Sequence, residues 1–487
     1  MSKVFLYFKT PWMAGAGLLF MCCVVFAPLL ENFFIWDDDS YLTKNLLLND
    51  IDGLKRIWLD LLATPQYYPL VFTSFWIEHK FWSLDPLGYH VDNVILHCIN
   101  TVLLWRILSF LRVKGSWLAA AIFAIHPVQV ESVAWITERK NLLSGFFSFL
   151  SLYFFLKFYN PDKPLNFNED QNGERPWSIY GVSLFFFICA LWSKTVASTL
   201  PAVILLIHWW KQNCIRKKIF LMMIPYFTLG FVFSIITIQL EKFRVGAIGP
   251  EWDFSFLDRL LIAGRALWFY IGKLVWPNPI IFIYPRWSID DSIWWQYIYP
   301  VTFLFLIFLL WHWRKNIGRG PLTAILFFAG SLFPALGFFN VYPMRFSFVA
   351  DHFQYLSCIG IIVIFSSGVD TITGNKKSLA SFILLAALLT TLGKLTWNQG
   401  PVYKNELSLW KDTIKKNPKA WMAHNNLGIA LFAEQKNEEA ISHYKMAIKL
   451  KPDYALAHNN LGIALVAEGK NEEAISHYKM AIKLNPD

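Results

Sequence analysis

Charge is scarce in this 487-residue chain: Asp, Glu, Lys and Arg supply 16% of it, against 55% hydrophobic and 18% aromatic residues. With a mean hydropathy of +0.39, that scarcity excludes an ordinary soluble globule and identifies a polytopic membrane protein. The six cysteines (Cys22, Cys23, Cys98, Cys189, Cys214 and Cys358) lie in or beside apolar runs, without a CxxC or a metal-ligand spacing, and leave the redox compartment undefined. No Walker loop is evident, which leaves direct ATP-driven transport little support. No HExxH or other closed zinc pattern is evident either, and a zinc hydrolase has equally little support. The net charge of +10 does not point to nucleic acid, because Lys and Arg fall mainly in short segments between apolar runs, as topology and lipid headgroups demand. Lys3 and Lys9 before the first apolar run imitate a signal peptide, but no small-residue cleavage site is obvious. A retained first helix is expected.

Apolar runs of spanning length occur near 12–30, 91–111, 116–134, 141–159, 178–193, 196–210, 219–240, 297–313, 321–339, 351–368 and 378–396, which predicts eleven spans. A twelfth run, 259–276, carries Arg259, Arg265 and Lys273 within about 120° of one another on a helical wheel and reads as an interfacial helix. With a cytoplasmic N-terminus, every inner segment is basic, including Arg106, Arg112 and Lys114, then Lys157, Lys163 and Arg175, then Lys211 to Lys218, Arg314 to Arg319, and Lys376 with Lys377. The series holds past residue 300 only if 259–276 does not cross. Segments 31–90 and 241–296 and the C-terminal region then share the outer side. Within them, 51–62 and 68–82 read as aromatic-rich helices lying along the interface, and 277–296 as an ordered loop near headgroups.

At the outer end of the first run stands Phe33-Phe34-Ile35-Trp36-Asp37-Asp38-Asp39-Ser40-Tyr41. Each Asp costs about 2.5–3.5 kcal/mol at a bilayer centre, so the three belong at or beyond the interface, against an aromatic belt. They serve either as a base acting on a lipid-borne substrate or as the cap of the next short helix. Four further polar groups fall on the same side: His126 to Asn141 with Glu131, Glu138, Arg139 and Lys140; Ser193-Lys194-Thr195; the basic stripe of 259–276; and Tyr342 to Arg345 with Asp351, His352 and Tyr355. Together they predict a polar outward cavity holding carboxylates and cations. Such a cavity suits glycosyl transfer, in which cations hold the phosphate of an isoprenoid-linked sugar and a carboxylate takes the proton of an incoming hydroxyl.

From Asn398 the composition turns charged and helix-forming. Segments 423–453 and 457–487 are copies that differ only at Phe432/Val466, Gln435/Gly469 and Lys451/Asn485. Leu427-Gly428, Ala440, Tyr444, Ala447 and Pro452, with their counterparts in the second copy, match the tetratricopeptide pattern. Segment 406–418 resembles the second helix of a degenerate unit. The division expected is a membrane domain over 1–397, a connecting half-repeat over 398–419 and two repeats over 420–487. Asn425, Asn426, Asn459 and Asn460 are expected on the concave face, where they either bond an acceptor's backbone or support contacts between repeats.

Trp36-Asp37-Asp38, His126-Pro127-x-x-x-Glu131 with Arg139-x-Asn141, Ser193-Lys194-Thr195 and Val349-Ala-Asp351-His352-x-x-Tyr355, followed by the repeats, together resemble the transmembrane-and-tetratricopeptide-repeat O-mannosyltransferases and their bacterial relatives of the GT-C class. The resemblance covers essentially the whole chain. It implies an all-α GT-C membrane bundle followed by an α-solenoid, a polyprenyl-phosphate sugar donor, inverting transfer to a protein hydroxyl, and repeats on the non-cytoplasmic side, here the periplasmic face of a bacterial inner membrane. Carried over residue by residue, it gives Asp37 or Asp38 as catalytic base, Glu131 with His126 as groups shaping the site, and Arg139, Lys194 and Arg345 as donor-phosphate ligands. His352 stands where relatives commonly have Arg, and either contacts phosphate itself or leaves that role to Arg345. No cofactor is expected, although Asp37–Asp39 could bind a divalent cation through oxygen ligands. A membrane-anchored repeat scaffold and a flippase for lipid-linked sugars are the competing readings.

Overall fold

Apolar runs bounded by proline and turn residues become the helices of the structure, a computed structural model whose described residues are 11–159, 177–374 and 378–485. The expected inner basic residues Lys3, Lys9, Lys163, Arg175, Lys376 and Lys377 lie outside them. In chain order the membrane domain comprises α1 (Pro11–Phe26), α2 (Ile51–Leu59), α3 (Pro69–Trp82), α4 (Pro86–Phe110), α5 (Ser116–Ile125), α6 (Val130–Ala134), α7 (Arg139–Phe158), α8 (Trp177–Ser193), α9 (Leu200–Gln212), α10 (Lys217–Phe243), α11 (Phe256–Val275), α12 (Ile298–Trp313), α13 (Gly320–Leu332), α14 (Cys358–Thr373) and α15 (Leu379–Gln399). The C-terminal array follows as α16 (Glu406–Lys416), α17 (Trp421–Ala433), α18 (Asn437–Leu450), α19 (Ala455–Ala467) and α20 (Asn471–Leu484). Among the described residues every regular element is helical.

By length and composition, six helical stretches can cross a membrane: Pro11–Glu31, Pro86–Phe110, Ile136–Phe158, Lys217–Phe243, Trp294–Trp313 and Leu379–Tyr403. A seventh forms if Ser116–Ile125 and Pro127–Ala134, bent by 56°, count as one span, and Trp177–Ser193, Gly320–Ala335 and Cys358–Thr373 are shorter apolar helices. All eleven expected runs contain helix, but several are cut short. Turns of 3-10 helix at Thr195–Thr199, Phe333–Ala335 and Asp351–Gln354 interrupt them, and these interruptions border the cavity described below. A helix broken there presents backbone and polar side chains to a cavity without exposing them to lipid.

The run 259–276 forms α11, opened by a capping box between Ser255 and Asp258. Its basic stripe is bound locally. Arg259 donates to the carbonyls of Gly337 (2.7 Å) and Trp252 (3.2 Å) and to Asn340 Oδ1 (2.9 Å), Arg265 stacks on Trp287 and Lys273 on Tyr284.

In the array, α17 pairs with α18 and α19 with α20. A Cβ on Gly428 would fall 2.6 Å from the Tyr444 ring, and one on Gly462 the same distance from Tyr478, so only glycine lets the paired helices approach this closely. Array and membrane domain share one apolar core, joined through Phe282, Tyr403, Trp410 and Met422. Lys416 Nζ donates to the carbonyl of Ile280 (2.9 Å) and Asn417 Nδ2 to that of Ile283 (3.0 Å), which seats the end of α16 on the 277–296 loop. Lys451, one of the three positions where the two copies differ, pairs with Glu251 of the membrane domain. The sequence difference at that position is a docking contact.

Gly428→Val should lower the stability of the array by about 1–3 kcal/mol through overpacking. Amide hydrogen exchange on the full chain checks it: faster exchange confined to α17 and α18 is expected, and unchanged protection would show that the Tyr444 contact is not tight.

Candidate functional site

The site begins where α1 ends. Trp36 adopts a φ of 47°, a left-handed conformation that costs a non-glycine residue about 1–2 kcal/mol, and its ring stacks on Trp135 at 5.2 Å. This turn sends the next two side chains in different directions. Asp38 is fully buried. Its Oδ2 accepts from the Ile35 N–H (2.9 Å), and its Oδ1 accepts from both the N–H (2.9 Å) and the hydroxyl (2.6 Å) of Thr137. Asp37 lines a cavity, and among the described residues its Oδ1 makes no hydrogen bond, with Thr137 and Trp135 as its near polar neighbours. Burial pushes the Asp37 carboxyl up to about 6, with Lys140 opposing the shift. Burial and the neighbouring Asp37 push Asp38 up to about 7. Asp39 turns to Thr43 and Lys44. The three carboxylates therefore engage different partners, and among the described residues no group of three or more His, Cys, Asp or Glu is gathered to hold a metal ion.

The cavity encloses about 850 Å³. At its polar end Glu138 is the hub. Its carboxylate meets Lys140 Nζ at 2.9 Å and Lys194 Nζ at 3.2 Å, and accepts from Asn141 Nδ2 at 2.6 Å. Lys194 Nζ also donates to Asn141 Oδ1 (2.8 Å), and Asn141 Nδ2 donates to the carbonyl of His352 (2.9 Å). The His352 ring lies between two carboxylates: Nδ1 is 3.0 Å from Glu131 and Nε2 is 4.0 Å from Glu138. Glu131 also accepts the His352 N–H at 2.9 Å. Burial pushes the Lys194 ammonium down, and Glu138 opposes that shift. Each ammonium has three donors, so both lysines keep donor capacity beyond these bonds.

The other end is apolar, lined by Phe149 and Leu152 of α7, Val203 of α9, and Phe227, Phe231 and Ile235 of α10. At 1.5 Å rise per residue, the cavity follows α7 for about 18 Å between Lys140 and Leu152. Its long axis thus runs from a cationic head to a greasy tail.

The sequence candidates separate on this geometry. Asp37, Glu131, Lys194 and His352 line the cavity. Arg139 does not; 1% exposed, it is bound by Glu78, Asn93 and the carbonyl of Tyr89, so its charge ties α3 and α4 to α7. Arg345 also lies elsewhere, paired with Glu251 at 3.1 Å beside the array. His126 caps the turn Pro127–Gln129 and bonds the carbonyl of Leu274 at 3.1 Å, behind the site. Lys140, Glu138 and Asn141 emerge as cavity groups that the residue-by-residue reading had not assigned. Adjacent basic residues point about 100° apart on a helix, so Arg139-Lys140 can offer only one of its pair to the cavity, and the sequence does not say which. In the array, Asn425 is buried and bonds Asn426 (3.1 Å), and Asn460 Nδ2 bonds Asn425 Oδ1 (3.0 Å), forming a ladder between repeats; Asn426, Asn459 and Asn460 are half-buried.

Residues 428–469 match the family described as TPR repeat, and residues 455–487 the family described as tetratricopeptide repeat. The chain is 25% identical over 447 residues to the protein O-mannosyl-transferase F38B6.6 of Caenorhabditis elegans, covering 88% of this chain and 61% of that protein. It is 24% identical over 462 residues to the protein O-mannosyl-transferase TMTC3 of Mus musculus (84% and 48%), and 25% identical over 466 residues to the protein O-mannosyl-transferase tmtc2 of Xenopus laevis (78% and 54%). The chain thus spans about half to three-fifths of the length of these relatives, and over most of its own length it is similar to proteins named protein O-mannosyl-transferases, with tetratricopeptide repeats at its C-terminal end.

Proposed function

We propose that this chain is a membrane glycosyltransferase that moves a sugar, mannose on the strength of the relatives' names, from a polyprenyl-phosphate carrier to a hydroxyl of a protein. The observation that carries this reading is the composition of one cavity. It holds a carboxylate oxygen that makes no hydrogen bond among the described residues, a cluster of cations beside it, and an apolar extension suited to an isoprenoid chain. A scaffold has no use for such a cavity.

In the proposed step the acceptor hydroxyl gives its proton to Asp37 as its oxygen attacks the anomeric carbon from the face opposite the phosphate. The bond from that carbon to the phosphate oxygen breaks, its electron pair stays on the phosphate, and the configuration inverts. Lys140 and Lys194 hold the phosphate and stabilise the charge it gains, a term that weighs heavily in a site shielded from water. His352 and Glu131 set the position of Asn141 and the lysines. Asp38 holds Asp37 in place through Ile35 and Thr137. In this scheme the negative charge that the departing phosphate gains is met by the two ammonium groups, and the step draws on no metal ion.

Four outcomes test the assignment. Asp37→Asn should reduce transfer of label from polyprenyl-phosphate mannose to protein by about 10²–10⁴-fold while donor binding is kept. Asp38→Asn, which puts an amide among three donors, should lower thermal stability by about 1–3 kcal/mol in addition; full stability of Asp38→Asn with turnover abolished, and an active Asp37→Asn, would reverse the two roles. Lys140→Met should weaken donor binding about 10–100-fold with folding retained, whereas Arg139→Met should yield little folded protein; donor titration and expression level separate them. Because Asp37 must be ionised to act, log kcat/KM should climb with unit slope to a break near pH 6, the value to which burial raises this carboxyl, and a profile flat through that range would remove Asp37 as the base.

A further inference from the structure

A second cavity, about 400 Å³ in volume, lies where the array meets the membrane domain, within the size range of binding pockets. Its charged lining is Arg286, Arg345, Lys419 and Lys451 against Glu251 and Asp453. The membrane domain contributes Glu251, Arg286 and Arg345, and the array contributes the rest. Glu251 binds Arg345 and Lys451 together through its carboxylate and accepts from Arg286 through its carbonyl at 2.8 Å. Glu251 thus gathers three cations, two through its carboxylate and one through its carbonyl, and the pocket keeps an excess of positive charge. The rest of the wall is mostly apolar, with the rings of Phe346 and Trp421 in it. Trp421 meets Phe346 at 5.2 Å between ring centres, the rings tilted by 49°, and both Arg345 and Lys451 lie over the Trp421 ring.

Two placements give the pocket a direction. Ile283 and Phe346 line it and also line the large cavity that holds Asp37, so the two spaces share a wall. Lys419 and Asp453 occupy equivalent places in successive repeat loops, 34 positions apart, and both are exposed. The pocket therefore opens between the array loops and the 277–296 loop, whose Pro285 and Arg286 are also exposed, and backs onto the large cavity.

We propose that this junction pocket binds an acidic side chain of the polypeptide acceptor, and so selects hydroxyls that have Asp or Glu a few residues away. Four cations around two carboxylates favour an anion. The array loops at its exposed rim and the wall shared with the large cavity favour a polypeptide over a lipid headgroup. The inference rests on the acceptor being a protein, but its test reads binding and not turnover.

The test uses the full chain in nanodiscs of phosphatidylcholine and two fluorescein-labelled twelve-residue peptides that carry one Thr, identical except that three Glu in one are Gln in the other. Fluorescence anisotropy should show the acidic peptide binding about tenfold tighter than its neutral twin. Lys419→Glu should weaken the acidic peptide about fivefold and Asp453→Lys should tighten it; both positions are exposed, so neither change threatens folding. Equal affinity for the two peptides, or acidic-peptide binding indifferent to both substitutions, overturns the proposal. Displacement of the acidic peptide by short-chain phosphatidylglycerol at equal or lower concentration also overturns it, and assigns the pocket to a lipid phosphate. Should sugar transfer fail with every donor while the charge-dependent peptide binding holds, the pocket stands and the glycosyltransferase reading falls.

Discussion

A buried carboxylate sets the geometry of the whole site. Asp38 accepts three hydrogen bonds, one from the turn that precedes it and two from Thr137, and thereby fixes the end of the first membrane helix to the start of α7. Removing an ionisable group from water is costly unless its oxygens are satisfied, and here one oxygen is satisfied locally by Ile35 and the other by Thr137, nearly a hundred residues further along the chain. The adjacent Asp37 inherits its position from that anchorage. So do Glu138 and Lys140, which follow Thr137 directly. A carboxylate and an ammonium supplied by separate loops would each carry their own mobility; Asp37 and Lys140 share one brace, the arrangement that the proposed reaction calls for.

Glu138 plays the complementary part on the cationic side. Two lysines from different elements, one at the start of α7 and one between α8 and α9, would repel each other if left alone in a largely apolar cavity. Glu138 holds both, and Asn141 links them to the backbone of His352. The cluster keeps positive charge concentrated without an unpaired ion in a medium of low polarity. The residues of α7 that join this cluster lie in its first turn, and Phe149 and Leu152 further along it line the apolar end of the cavity.

Much of this was legible in the sequence. Membrane class, the helical runs and the repeat architecture all follow from hydropathy, periodicity and self-similarity, because each depends on many residues acting together. Asp37, Glu131, Lys194 and His352 were singled out and do line one cavity. What escaped was direction. Arg139 and Lys140 are neighbours of the same charge, and only the packing of α3 and α4 against α7 decides that the first is taken by Glu78 and Asn93 while the second faces the cavity. Arg345 was drawn to the site by proximity to His352 in sequence, yet the turn Tyr342–Arg345 and the extended residues after it carry the two side chains to opposite sides of Phe346. The number of spans was read from run length, and the 3-10 turns that shorten several runs carry no strong sequence mark.

The docking of the array has a consequence for how substrate would be presented. Lys416, Asn417, Trp421 and Lys451 fasten the first repeat to the membrane domain, and a single apolar core runs beneath them. A recruiting module on a flexible tether raises the local concentration of its cargo by an amount that linker length sets, and it serves every position on that cargo alike. A module bolted down in this way works as a jig: a segment gripped in one register offers the same few positions to the cavity each time, and the choice of modified residue becomes a matter of spacing.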